Sequence, residues 1–461
     1  MESVREFNSD PRVAAIRLSA YEEPCEGDRS PSLLALSHQL DWFDYERGPF
    51  GKVISPGSRV LIKPNFVLHE NEGKWDIEPL LTHPSLVKQA VFGALKAGAA
   101  EVVVGDAPIQ SCDFARLLAA TGLDRWSEEL KEKTSRFKGI LDFRRTTCRI
   151  VDGVRVAEEG LLPEDRFVRF DLGSESLLEP ISSNGHTFRV TRYDPRLMAE
   201  THSPGRHRYL IAKEVMEADV VINLPKLKTH KKAGVTCALK NLIGINGNKE
   251  YLPHHRVGGS ATGGDCYPGA SPVKRALEYS LDRRNMARSH TGGKLWNEIA
   301  VNLDRLARRT GDQLGTEGSW SGNDTIWRTC LDLNRILLYG REDASLADQQ
   351  QRRVIHIVDA ITAGQGDGPL SPEPFPLGLI FAGQNAAAVD WIGATLLGYN
   401  PMKIPIVRGS FREFKWRLAQ FGPDEVTLRG DLGSGPADYV LRDWAPSDQM
   451  KYPKGWVDAV R

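Results

Sequence analysis

Short runs of consecutive apolar residues punctuate this chain. Arg59-Val-Leu-Ile, Glu101-Val-Val-Val, Asp219-Val-Val-Ile-Asn-Leu and Arg353-Val-Ile-His-Ile-Val are rich in Val and Ile and do not alternate with polar residues. Runs of this length, apolar on both faces, predict parallel strands covered by helices on either side. A fifth run, Leu377-Gly-Leu-Ile-Phe-Ala, predicts another strand. Helical periodicity follows three of the five, over residues 84–98, 113–121 and 385–397. Strand–helix alternation predicts an α/β fold: a mainly parallel, Rossmann-like sheet with helices on both faces.

Other stretches break the alternation. Residues 125–210 mix turns with β-like runs at 146–156 and 167–172, and read as a β-rich insertion. Residues 272–340 read as helical, with Leu295, Ile299, Leu303 and Leu306 at three- and four-residue spacing. The Gly-rich stretch 258–269 reads as a loop, and the tail after about residue 410 carries little pattern. The expected organisation is therefore an α/β core in three pieces (1–124, 211–270 and 346–461), interrupted by the insertion at 125–210 and a helical segment at 271–345.

The chain of 461 residues has 60 Lys+Arg and 60 Asp+Glu, hence zero formal net charge. That balance argues against nucleic acid as the main partner, although residues 131–149 are locally basic. A small anionic ligand stays open, since a local lysine cluster fits inside a neutral total. Residues 1–20 carry Glu2, Arg5, Asp10 and Arg12 and no signal-like apolar run, and no segment has the length to cross a bilayer. Six scattered cysteines (Cys25, Cys112, Cys148, Cys237, Cys266, Cys330) form no CxxC pair. A cytoplasmic, reducing setting is expected, with no membrane partner; a homodimer is compatible with all of this.

The candidate chemistry stands where the strands stop. The first runs into Lys63-Pro-Asn65, the second into Gly105-Asp106-Ala-Pro108, the third into Pro225-Lys-Leu-Lys-Thr-His230 and the fourth into Asp359. Ligands of open α/β sheets bind beyond such carboxyl ends. Extended geometry would put Lys226, Lys228 and His230 on one face. The stretch Gly234 to Gly244 reads as a short helix, with Thr236 as N-cap and Gly244 as stop, whose N-terminus beside these cations would suit an anion. A solvated basic turn is the plain alternative. Lys240 and Asn241 would lie one turn deeper, and Cys237 reads either as a favoured thiolate or as a small buried thiol.

Asp106, Asp359 and Asp367 could serve as base, cap or ligands of a divalent ion, and His254 and His255 as further metal ligands. His83, before Pro84, faces the crevice or caps its helix, and Asp390, mid-helix, could bond a neighbouring loop. The loop Gly364-Gln-Gly-Asp-Gly-Pro369 lacks the lysine and hydroxyl residue of a P-loop.

Several of these motifs also carry a family likeness. Leu61-Ile-Lys63-Pro-Asn65, Thr82-His83-Pro84, Val104-Gly-Asp106-Ala-Pro108, Leu224-Pro-Lys-Leu-Lys-Thr-His230 with its continuation to Gly244, Val358-Asp359-Ala-Ile and Ala388-Val-Asp390 resemble domain-of-unknown-function family 362, across about residues 59–402. Iron–sulfur clusters, which some members hold on extra cysteine motifs, are not implied here. His230, Ala233, Gly234 and Lys240 are also similar in spacing to the lactate racemase family, whose histidine is catalytic and whose lysine carries a nickel-pincer nucleotide. That family has paired glycines before its lysine where Ala238-Leu239 stand here, so the likeness implies a shared fold and crevice rather than a shared cofactor.

The leading expectation is an enzyme acting on a small carboxylate or phosphorylated metabolite by isomerisation, racemisation or elimination. Catalytic candidates are His230, Lys240 and Asp106; substrate-binding candidates are Lys63, Asn65, His83, Lys226, Lys228, Thr236 and Asn241. Metal-dependent phosphoryl or acyl transfer through Asp106, Asp359 and Asp367 is the first alternative. A non-catalytic carrier of an anionic cofactor is the second.

Overall fold

The computed structural model describes residues 4–23, 30–160, 162–183, 187–309, 314–431, 436–439 and 450–460; Cys25 lies outside them. The architecture is α/β, a mixed sheet flanked by helices with extra β and helical elements. The sheet has eleven strands among the described residues. Its central block is parallel, in the order Arg353–Gln365, Val220–Leu224, Arg59–Pro64, Glu101–Asp106, Phe137–Asp142.

Burial explains the apolar runs. In the strand Arg59–Pro64, Val60 and Ile62 pack into one core cluster and Leu61 into another on the opposite face. Val102 and Val104 divide from Val103 in the same way. A strand covered on both sides has no solvent-facing position, so its sequence cannot alternate.

The predicted fifth strand, Glu373–Gly383, runs antiparallel to Arg353–Gln365, and Arg12–Arg17 continues the sheet antiparallel to it. Thr427–Asp431, in the pattern-poor tail, then pairs parallel to Arg12–Arg17. The predicted helices form at Pro84–Lys96, Phe114–Thr121 and Ala386–Leu396, with His83, Asp113 and Asn385 at their N-caps. The helical segment contains Pro272–Asn285, His290–Arg309 and Ile326–Tyr339. No described helix is long and apolar enough to cross a membrane.

Two local expectations are corrected. Asp359 does not end its strand, which extends to Gln365; it marks the point where that strand leaves Val220–Leu224 and takes Lys226–His230 as its new neighbour. The expected helix from Gly234 is a strand first: Gly234–Thr236 folds back antiparallel on Lys228–His230. Gly234 allows this reversal with φ of +81°, and a Cβ there would stand 2.7 Å from the ring of Trp456. Helix follows only over Ala238–Asn241, with Cys237 in place of Thr236 at its N-cap, and Gly244 sits inside the 3-10 turn Leu242–Ile245. One turn of helix offers little dipole, so the anion-site argument must rest on side chains.

Candidate functional site

The strand Lys226–His230 is buried at every position, an arrangement its two lysines and its histidine tolerate only with specific partners. Its register against Arg353–Gln365 shifts between Lys226 and Lys228, and the three side chains go to different places. Lys226 Nζ donates to Asp359 Oδ2 at 3.0 Å and to the Tyr21 hydroxyl at 2.9 Å. Lys228 Nζ donates to Asn65 Oδ1 at 2.8 Å and to the Leu80 carbonyl at 2.6 Å. With no carboxylate against it, burial drives the Lys228 pKa well below its ordinary value. His230 stands at the turn into Gly234–Thr236.

Two hydrogen bonds to backbone carbonyls hold the strand and the residue after it from outside. Thr229 Oγ1 donates to the Gly366 carbonyl and Lys231 N to that of Gly368. A Cβ on Gly368 would lie 2.1 Å from the Thr229 oxygen, so the Gly-rich loop serves close approach of two backbones. Trp456 Nε1 donates to the Lys231 carbonyl at 2.7 Å, clamping the turn from the tail.

Beyond the strand ends lies a cavity of about 330 Å³. Asn65, Asp106, Lys228, His230, Thr236, Lys240, Asn241 and His254 all line it. Seven lysine and arginine side chains face three carboxylates around its wall, a positive chamber inside a chain of zero net charge. Thr236 Oγ1 and Asn241 Oδ1 are buried without hydrogen-bond partners, as groups waiting for a ligand or water would be. Burial lowers the Lys240 pKa from its ordinary value.

The two cavity histidines are held in opposite tautomers. His230 Nδ1 accepts from the backbone N–H of Lys232 at 3.0 Å and of Ala233 at 3.1 Å. That nitrogen must carry a lone pair, so the neutral ring bears its proton on Nε2. His254 Nδ1 lies 2.6 Å from the Leu252 carbonyl, which can only accept. Its proton is therefore on Nδ1, and Nε2 carries the lone pair. Burial first, then the charge of Lys240 for His230 and of Lys232 for His254, pushes both rings well below the ordinary histidine pKa. One cavity thus holds a neutral imidazole N–H donor and a neutral imidazole acceptor.

Lys63 is fully buried behind the cavity wall, its Nζ 2.7 Å from Asp106 Oδ1. The other carboxylate oxygen accepts Phe66 N at 2.6 Å. Burial raises the Asp106 pKa and lowers that of Lys63, each opposed by the partner's charge. The second buried pair, Lys226–Asp359, belongs to a separate network. Tyr21 OH donates to Asp359 Oδ1 at 2.8 Å, His83 N donates to Oδ2 at 2.8 Å, and the Tyr21 and His83 rings stack at 3.7 Å. Lys226, His83 and Asp359 therefore do not line the cavity.

The residues of the metal reading are dispersed. Asp106 and Asp359 hold different lysines, Asp367 is exposed on its loop, and His255 sits on a short strand with Arg189 opposite it. No three His, Cys, Asp or Glu side chains gather as a metal site among the described residues. Ala238 and Leu239, both fully buried, fill the chain just before Lys240, where paired glycines would leave room for a bulky cofactor. Cys237 is a buried thiol, its pKa raised well above the ordinary value by burial. Asp390 Oδ1 accepts Leu239 N at 3.1 Å, so its bond goes to the helix Ala238–Asn241 rather than to a neighbouring loop.

Sequence reasoning missed Lys249, Lys232 and Glu317, which also line the cavity. Lys249 has its pKa lowered by burial to about 8. Lys232 Nζ approaches Glu317 at 3.6 Å, and the positive surroundings hold the Glu317 carboxyl down at about 2. Lys249 follows Asn246-Gly-Asn248 only five residues past Gly244, a signal the continuing motif offered; Glu317 lies between the helices His290–Arg309 and Ile326–Tyr339, in a stretch that sequence pattern assigns to helix.

Comparison with known proteins identifies a family. Over 432 residues the chain is 24% identical to a thylakoid-associated protein of Synechocystis sp., covering 94% of this chain and 86% of that protein. A Thermotoga maritima crystal structure superposes with a TM-score of 0.32 at 10% identity, covering 77% of this chain and 56% of the other. The lactate racemase apoprotein of Thermoanaerobacterium thermosaccharolyticum gives a TM-score of 0.30 at 12% identity, covering 82% of this chain and 58% of that one. The chain thus spans little more than half the length of these two structures, and the likeness to each is weak. The family model described as "Domain of unknown function (DUF362)" matches residues 60–161 and 181–395, which include every cavity residue from Asn65 to His254 discussed above, and the chain belongs to that family.

Proposed function

We propose that the protein is an enzyme that moves protons on a small anionic metabolite, a carboxylate or phosphorylated compound, in an isomerisation, racemisation or elimination. The observation that carries this reading is the pair of neutral histidines of opposite tautomer in one cation-walled cavity. Cationic side chains such as Lys249 hold the substrate's negative group. His254 Nε2, the free lone pair, takes a proton from the carbon next to a carbonyl or carboxylate. The electron pair left behind moves onto oxygen, where the His230 Nε2–H donates a hydrogen bond and Lys240 lends positive potential. A neutral imidazole is the better-matched donor there, because its pKa lies nearer that of the enolate it stabilises. His254, now an imidazolium, returns the proton to the same or a neighbouring carbon, or to a leaving group.

Incubation with a panel of small 2-substituted carboxylates and sugar phosphates in D2O tests the reading, with deuterium incorporation followed by NMR. The expected result is exchange at one carbon of a responsive compound, abolished in His254→Gln and strongly reduced in His230→Gln, both variants remaining folded by circular dichroism. Exchange that persists in both variants removes these histidines from the chemistry. A compound that binds stoichiometrically yet never exchanges or converts points to the carrier role instead.

A further inference from the structure

The helix His290–Arg309 buries only its small face against the rest of the molecule: Gly293, Ala300 and Ala307 are its buried residues. Of the apolar stripe read from the sequence, Leu295, Ile299 and Leu306 face outward, while Leu303 is half-buried. Leu295 is 57%, Ile299 37% and Leu306 46% exposed, and Tyr279 on the neighbouring helix Pro272–Asn285 is 59% exposed. With Asn302, which is also exposed, the stripe has the spacing 295, 299, 302, 306. Steps of four, three and four are those of a coiled-coil seam. They also read the same in both directions about the centre of the stripe, between Ala300 and Val301.

We propose that this face is the interface of a homodimer, in which the helix packs antiparallel on its own copy across a two-fold axis beside Ala300 and Val301. In that arrangement Leu295 of one copy meets Leu306 of the other at both ends, and Ile299 meets Asn302 on either side of the axis. The flanking positions are complementary in the same register. Glu298 of one copy faces Arg305 of the other, twice, and both residues are exposed. A parallel arrangement would set the two copies' Glu298 on opposite sides of the seam, and this pairing would be lost. The two-fold satisfies the requirement of an isologous interface, that each residue find its complement on the same surface. Asn302 within the seam weakens the pairing and fixes its register. The stripe spans about three helical turns, less than a standard interface offers, so the dimer is weak and concentration-dependent.

Sedimentation equilibrium of the full chain from about 5 to about 500 μM tests this, a range that brackets a weak self-association. The expected result is a monomer–dimer equilibrium shifted at least tenfold toward monomer by Leu306→Asp. Glu298→Arg and Arg305→Glu each weaken it, and the double exchange restores it. These positions are exposed, so circular dichroism of the variants should match the wild type. A wild type that stays monomeric throughout overturns the proposal. So does a dimer that Leu306→Asp leaves intact, or a charge exchange whose double variant is no tighter than the singles.

Discussion

Gly244 and Asp106 touch: a Cβ added to the glycine would stand 1.9 Å from Asp106 Oδ1, and 2.8 Å from the Lys63 Nζ paired with it. The Gly244 carbonyl also accepts Ala107 N at 2.9 Å, so two segments of the family motif close over one buried ion pair. Gly244 is needed here for space rather than as a helix stop. Gly244→Ala must force the pair apart, and a broken buried pair costs about 3–5 kcal/mol. Urea denaturation should show a loss of that order, while Gly263→Ala, at a position with open space but φ of +84°, should cost only about 1 kcal/mol.

Lys226 and Asp359 form a buried pair, and every contact described for it lies within its own network. Asp359→Ala leaves a buried ammonium without its charge partner and is expected to cost about 3–5 kcal/mol. Adding Lys226→Met should recover most of that loss, as an apolar replacement of similar volume removes the stranded charge. Thermal denaturation of the two single variants and the double variant measures this. A double variant no more stable than Asp359→Ala would mean that the pair is needed as a pair.

Thr236 carries a buried hydroxyl with no partner, so it contributes little to the empty protein. Thr236→Val should leave unfolding stability within about 1 kcal/mol of wild type, or slightly above it. The same change should weaken binding of the exchange-active compound about tenfold, by removing a hydrogen bond of about 1.4 kcal/mol. Calorimetry of both proteins provides the comparison, and a large loss of stability with unchanged affinity would make Thr236 a packing residue.

Lys249 gives the cavity a group that titrates near neutrality, with its pKa lowered to about 8 by burial. Its cationic form attracts an anion, so affinity for malonate, already a dianion near neutrality, should be full near pH 7 and fall as pH rises through 8. Binding an anion raises that pKa again, hence protons are taken up on binding between about pH 8 and 9. Calorimetry in two buffers of different ionisation heat reads the uptake, which Lys249→Met should abolish. His230 and His254, both far below their ordinary pKa, should add no titration between pH 6 and 8.

The parallel block of the sheet was legible because a strand buried on both faces has an unbroken apolar sequence. Arg12–Arg17 and Thr427–Asp431 were not, since short edge-side strands with charged ends look like loops to any periodicity argument. The strand ends led to cavity-lining positions for Asn65, Asp106, Lys228 and His230. They pointed elsewhere for Lys226 and Asp359, because a register shift inside one five-residue strand turns neighbouring lysines to separate networks. No one-dimensional pattern encodes such a shift. The tautomer of His254 was hidden for a related reason: it depends on one backbone carbonyl two residues away, visible only in three dimensions.

The opposition of the two histidine tautomers is the centre of the functional reading, and it can be measured without knowing the substrate. Long-range proton–nitrogen NMR of uniformly labelled protein between pH 6 and 8, assigned with His230→Gln and His254→Gln, distinguishes protonated from unprotonated ring nitrogens. The account predicts that His230 carries its proton on Nε2, that His254 carries it on Nδ1, and that neither ring is doubly protonated. The same tautomer in both rings, or an imidazolium at either position in that range, would contradict it.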